Sequence, residues 1–251
     1  MDGVSIVVIT LNEERNLPHI LGDLEKQTMK NFEVIVVDSK STDSTTEIAR
    51  SFLNRLPMQV VVMPCRGVSL GRNTGASLAQ NERMLFLDAD TRVDSDFLEK
   101  AVGELEARRL QLGGVYLKCR DVPLLYTIGI RVFNAGFWLG QRVFPMATGG
   151  CLFSTRTAHA RVGGFDESIV LCEDCDYVRR ASKELGVSFG MLRQSYYFHP
   201  RRLERDGILK TGWTYLRANL RRLFVGELYG NPYLYRFGHY DNPVEAANGD
   251  V

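Results

Sequence analysis

The chain predicts an α/β protein: a mostly parallel, doubly wound sheet with helices on both faces. Three observations carry this. Ser5–Leu11, Phe32–Val37 and Met84–Leu87 are apolar or β-branched runs interrupted only by Ser5 and Glu33, the pattern of strands buried on both faces. Stretches with helical spacing separate them, and strand–helix alternation of this kind builds a parallel sheet with crossover helices. Two of the runs end in aspartates, at Asp38 and at Asp88-Ala89-Asp90. Ligands of open α/β sheets bind outside the carboxyl ends of the strands.

In order, the first strand ends at Asn12-Glu13-Glu14. Asn16 is placed to cap a helix in which Leu17, Ile20, Leu21 and Leu24 share a face and Pro18 falls in the first turn. The second strand leads into the cap-and-turn cluster Ser39–Thr45 and a helix to about Leu53. Gln59–Met63 is a third strand. Gly67–Gly71 reads as a loop, with Arg72–Ala76 opening or lying in a helix that ends near Asn81. The aspartate run follows, then a helix over Asp94–Arg108. Val115–Cys119 predicts another strand. Leu124–Leu139 predicts a helix lying over the sheet or against a lipid surface. Gly149-Gly150 enters a strand from Cys151, and Gly163–Glu167 is a turn. Glu173–Leu185 is a helix, with its acids first and Arg179, Arg180 and Lys183 later, as the macrodipole favours. Val187–Phe198 is one strand or two.

An amphipathic helix is expected from Asp206 to about Leu228, with Leu209, Trp213, Leu216, Leu220 and Leu223 in one stripe and Lys210, Arg217 and Arg221 beside it. His199–Arg236 holds eight Lys/Arg against three Asp/Glu, which suits either packing on the domain or an anionic membrane face. The division expected is a catalytic unit over 1–205 and this basic helix with a polar tail over 206–251.

With 251 residues, 45% hydrophobic, 24% charged and a net charge of +1, neither disorder nor bulk nucleic-acid attraction is indicated. Met1-Asp2-Gly3 lacks the basic region of a signal peptide, and no apolar run reaches the 18 or so residues of a membrane span. Five cysteines without framework spacing predict a reducing, cytoplasmic setting. Cys172 and Cys175 form a lone CxxC, weak ground for zinc.

Asp88 and Asp90 point to the same side of an extended backbone. Two such carboxylates suit Mg²⁺, which takes one or two of them and fills its other positions with water and substrate phosphates. Read by itself, the pair is equally a strand end opening a turn. Asp38 is placed to accept from a base or ribose, or to close an Asx-turn. Arg72 is placed to meet a phosphate, or to be a surface helix charge. Neither a dinucleotide G-x-G-x-x-G nor a P-loop is present.

Six stretches occur in the order and spacing of family 2 glycosyltransferases: Ile6–Glu13, Val36–Asp43, Gly71–Ala76, Leu87–Asp90, Gly163–Glu167 and Glu173–Asp176. The chain resembles that family over roughly residues 4 to 200. The resemblance implies a GT-A fold, a nucleotide-diphosphate sugar donor, a divalent metal (Mg²⁺ or Mn²⁺) and transfer with inversion. By the same resemblance Thr10, Leu11, Glu13 and Asp38 would hold base and ribose. Asp88, Ala89 and Asp90 would form the donor edge, with Asp90 and His199 on the metal. Asp174 would be the base that deprotonates the acceptor hydroxyl, with Glu173 as its alternative. A glycan or a lipid-linked molecule would be the acceptor.

Two departures stand out. Lys40 occupies a position after Ser39 that is usually glycine. The Q-x-x-R-W motif of processive synthases is absent, so a single transfer is expected. Two rivals compete. A haloacid dehalogenase-like phosphatase would also use an apolar-strand DxD, but Thr91 replaces its glycine. A non-catalytic nucleotide-sugar binder would lack the Glu173-Asp174 pair.

Overall fold

A computed structural model describes residues 3–120, 122–169, 171–199, 207–224, 226–227 and 229. Seven strands form one sheet: β1 (Val4–Thr10), β2 (Phe32–Asp38), β3 (Met58–Val62), β4 (Arg83–Asp88), β5 (Leu112–Lys118), β6 (Cys151–Thr155) and β7 (Phe189–Tyr197). Their order is β3-β2-β1-β4-β6-β5-β7. Only β6 runs antiparallel to its neighbours, β4 and β5; the other pairs are parallel.

Helices cover both faces, and the alternation of side chains along each strand decides which. Ile6, Val8, Val34, Val36, Leu85 and Leu87 pack with α1 (Leu17–Glu25), α2 (Thr45–Ser51) and α4 (Phe97–Ala107). Val7, Ile35, Val37, Met84 and Phe86 pack against α3 (Val68–Leu78), α6 (Arg156–Val162) and α7 (Glu173–Arg179). A strand that buries both of its faces has little room for a charged side chain before it ends, and Asp38 and Asp88 are the last residues of β2 and β4.

Four local expectations change. Helix α3 starts at Val68, so Gly67–Gly71 is not a loop. Its glycines serve close approach instead: a Cβ on Gly75 would collide with Val7, and one on Gly71 would press on Ile9. Asn16 makes no side-chain cap; its amide donates to Glu13 at 2.6 Å. The helix expected over Glu173–Leu185 is α-helical only to Arg179, and Arg180–Glu184 forms a wider π turn. Helix α6 interrupts a stretch in which no helix was expected.

Helix α5 (Leu124–Gly140) and helix α8 (Ile208–Phe224) lie at the periphery. Asn134 fixes α5 to β5, accepting from Leu117 N–H and donating to its carbonyl. Ala218 of α8 packs beside Leu171, Cys172 and Cys175, and Glu227 bridges Arg179 and Arg222. The side chains of Leu209, Leu220 and Leu223, the segment 200–206 and the tail from Phe237 lie outside the described residues.

Candidate functional site at the carboxyl edge

Register fixes the edge. Thr10 pairs with Asp38 across β1 and β2, and Ile9 with Asp88 across β1 and β4. Asp38 and Asp88 therefore flank the end of β1. Because β6 runs backwards, its beginning meets the end of β4: Leu87 pairs with Cys151, and Asp88 N–H donates to Gly150 C=O at 3.2 Å. The Gly149-Gly150 pair is thereby delivered to the same edge.

Asp38 is buried and fully engaged. It accepts from the Thr10 hydroxyl at 2.8 Å, from Ser41 N–H at 2.8 Å and from the Ser41 hydroxyl. These bonds close the turn after β2, and Thr10 shares the network. The turn is tied to the end of β1 by Asn12 N–H on Ser41, Glu13 N–H on Thr45 and Thr42 N–H on Asn12. Lys40 sits in this turn at φ 62°, the left-handed region where a side chain is disfavoured and glycine is not. That geometry accounts for the glycine expected there. Leu11 is half-buried just beyond β1, and Glu13 is buried with Asn16 on its carboxylate.

Arg72 departs most from expectation. It faces neither solvent nor an open phosphate site: the residue is 2% exposed. Its Nη1 donates to Glu173 at 2.6 Å and its Nη2 to Asp88 at 3.1 Å. Burial opposes its charge, but Asp88, Glu173 and Asp174 more than offset that and hold it cationic. Glu173 is buried on this ion pair, whereas Asp174 beside it is half-buried. Burial first, and then Asp174, push the Glu173 carboxyl up to about 7 against the pull of Arg72. Burial also raises the Asp88 carboxyl; Arg72 opposes this and Asp90 adds to it.

Asp174 is half-buried and accepts from two backbone groups, Gly149 N–H and Cys175 N–H. It is thus pinned to the start of β6, beside Asp88. Gly149 itself went unnoticed in the sequence beyond its place in a flexible pair. A Cβ there would strike the Arg72 guanidinium, so the same glycine serves both Arg72 and Asp174. Asn73 was quoted without a role. Its side chain donates to Phe165 C=O and accepts from Phe165 N–H, docking the Gly163–Glu167 turn onto α3.

Asp90 follows β4 in a turn whose core anchor is Ala89, buried among apolar residues. The Ala89 side chain therefore faces inward and leaves only its backbone to the edge. Arg92 pairs with Tyr197 at the end of β7, and Asp23 grips its guanidinium at 2.6 and 2.7 Å. That crossing places His199, two residues after Tyr197, on the same side as the Asp90 turn. Asp90 and His199 line one cavity of about 260 Å³ with Asn16, His19, Thr91 and Arg92. Among the described residues no group of three or more His, Cys, Asp or Glu side chains encloses a metal. One carboxylate and one imidazole on a shared wall fit a cation that takes its other ligands from phosphate and water.

The fold and its edge carboxylates define an α/β protein of the GT-A type. Residues 5–164 match Glycosyl transferase family 2, and the chain belongs to that family. It is 26% identical over 229 residues to the minor teichoic acid biosynthesis protein GgaA of Bacillus subtilis, covering 83% of this chain and 49% of that protein. Over 120 residues it is 34% identical to a PGL/p-HBAD biosynthesis glycosyltransferase of Mycobacterium bovis, covering 45% of this chain and 47% of the relative. The chain thus spans about half the length of these curated relatives.

Two solved structures share the fold. TarS 1-349 of S. aureus in complex with UDP-GlcNAc superposes with a TM-score of 0.64 at 23% identity, covering 78% of this chain and 58% of that one. The mannosyltransferase PcManGT from Pyrobaculum calidifontis, in complex with GDP-Man and Mn²⁺, gives 0.66 at 21%, covering 86% and 64%.

Proposed function

We propose that this chain is a metal-dependent glycosyltransferase that moves one sugar from a nucleotide-diphosphate sugar to an acceptor hydroxyl, with inversion at the anomeric carbon. One observation carries the reading: Asp174 is tethered to Gly149 immediately beside the Asp88 end of β4. This supports a carboxylate on the acceptor side facing the donor edge. Thr10, Leu11, Glu13 and Asp38 shape the wall for base and ribose, and Asp88 faces the ribose side. Asp90 and His199 would hold the divalent metal, Mg²⁺ or Mn²⁺. A bound cation would neutralise the charge that develops on the diphosphate leaving group.

The work of this chain's own residues is then positional and acid–base. The Arg72 ion pairs hold Asp88 and the start of α7 together, so donor edge and base keep their spacing. Asp174 takes the acceptor proton while the acceptor oxygen attacks the face opposite the leaving diphosphate, which yields inversion. Relatives named for teichoic acid and PGL/p-HBAD biosynthesis support a glycan or lipid-linked acceptor, and the absent Q-x-x-R-W motif supports a single transfer.

Asp174→Asn tests this. It keeps the shape and removes the base. Transfer should fall by about 10²–10⁴-fold with donor affinity, read by calorimetry, nearly unchanged. Wild-type transfer in this variant would remove Asp174 as the base, and lost donor binding would move it to the donor site.

A further inference from the structure

A helix on the surface of a globular protein turns its polar face outward. Helix α5 does the reverse. Its inward side is fixed by Asn134 and by Phe137, the helix's one buried residue. Leu125, Ile128, Val132 and Leu139, spaced by one helical turn or two, are exposed on the other side, and Val143 just beyond the helix continues them. Val132 is 67% and Leu139 70% exposed. Among the described residues no element covers this face. Helix α8 adjoins α5: the Phe133 and Tyr215 rings stand 6.4 Å apart, and Arg222 lies over Phe144. The exposed positions of α8 include Lys210, Trp213, Leu216, Arg217, Arg221 and Phe224.

Charge decides what such a surface meets. Residues 124–147 contain two arginines and no Asp or Glu; residues 208–224 contain four Lys/Arg and no Asp or Glu, and of these Lys210, Arg217 and Arg221 are exposed while Arg222 is buried against Glu227. The two tryptophans of the chain, Trp138 and Trp213, stand one on each helix, each 60% exposed. Tryptophan concentrates at the water–hydrocarbon boundary of bilayers, and basic residues beside an apolar face are drawn to anionic headgroups. Docking two copies through this surface would instead set basic residues against one another, which costs affinity. We propose that the α5–α8 surface docks the protein on an anionic lipid surface, with the α5 stripe in the headgroup–acyl boundary and the α8 cations at the phosphates. No described helix is long and apolar enough to cross a membrane.

Flotation of the full chain with phosphatidylcholine vesicles, with and without phosphatidylglycerol, tests this, together with tryptophan emission. The protein should float with the anionic vesicles only, release as salt is raised, and show a blue shift on binding. The variant K210Q/R221Q should weaken partitioning roughly thirtyfold, since each cation near such a surface contributes about a factor of five. The variant I128D/V132D/L139D should neither float nor shift, while its circular dichroism and melting stay wild-type because these side chains bury little. Absence of flotation at low salt would overturn the proposal. So would flotation that the three aspartates leave intact, or a concentration-dependent dimer, dissolved by those aspartates, in place of vesicle binding.

Discussion

Replacing Arg72 by methionine removes one cation from between two acids. Asp88 is 37% exposed in its side chain, so solvent screens its share, and exposed pairs are worth about 1 kcal/mol or less. Glu173 lies with Arg72 in the interior. Removing one partner of a buried pair costs about 3–5 kcal/mol, and proton uptake by Glu173 limits that cost, so about 3 kcal/mol is expected at pH 8. In a protein of this size that lowers Tm by about 6–12 °C. Without Arg72 the Glu173 carboxyl rises further, and the variant escapes part of the cost by protonation. The deficit should therefore shrink from pH 8 to pH 6. Urea unfolding followed by circular dichroism at both pH values measures it. R72M/E173M, which leaves no buried acid behind, should recover most of the loss. A deficit below about 1 kcal/mol at pH 8, or a double variant no more stable than R72M, would refute the ion-pair account.

Asp90→Ala should abolish transfer and metal-dependent nucleotide binding while leaving the melting curve in place, and EDTA should do the same to the wild type. Full activity in either condition would remove the metal from the reaction. Glu173 also sets a pH dependence. Its folded pKa of about 7 stands above the usual 4.5, so the folded state binds a proton between those values that the unfolded chain does not. Stability relative to Glu173→Gln should rise as pH falls through 7 toward 4.5, and the ionisation cost is fully present above 7. A wild-type-minus-variant difference that is flat over pH 5–8 contradicts this.

The strands and their order of appearance were legible because a strand buried on both faces writes itself as an apolar run. Asp38, Asp88 and Asp90 were legible for the same reason: they are where the runs stop. The environments of these residues were not. Arg72 carries no mark in sequence that distinguishes a solvent-facing guanidinium from one sealed between acids contributed 16 and 101 positions away. The tether from Gly149 to Asp174 depends on β6 running backwards, and a five-residue apolar strand has no direction until it is paired. Helix α6 escaped notice because it buries only Ala158, too little for a periodic signal. Helix α5 was expected, but an apolar helix does not say which of its sides the protein covers.

The reversed strand also divides the labour of the chain. Strands β5 and β4 point the same way, and β6 returns between them, so the excursion from residue 119 to 150 leaves and re-enters at the ligand edge. It carries α5 outward and brings Gly149 back. Length and sequence within that excursion can change without disturbing β1, β2 or β4, whose ends form the donor wall. An acceptor-directed graft therefore belongs between Arg120 and Thr148. The Asn134 anchor must be kept, and so must the last steps: Ala147 in the core, Thr148 on the Tyr196 hydroxyl, and the glycine that bears on both Arg72 and Asp174.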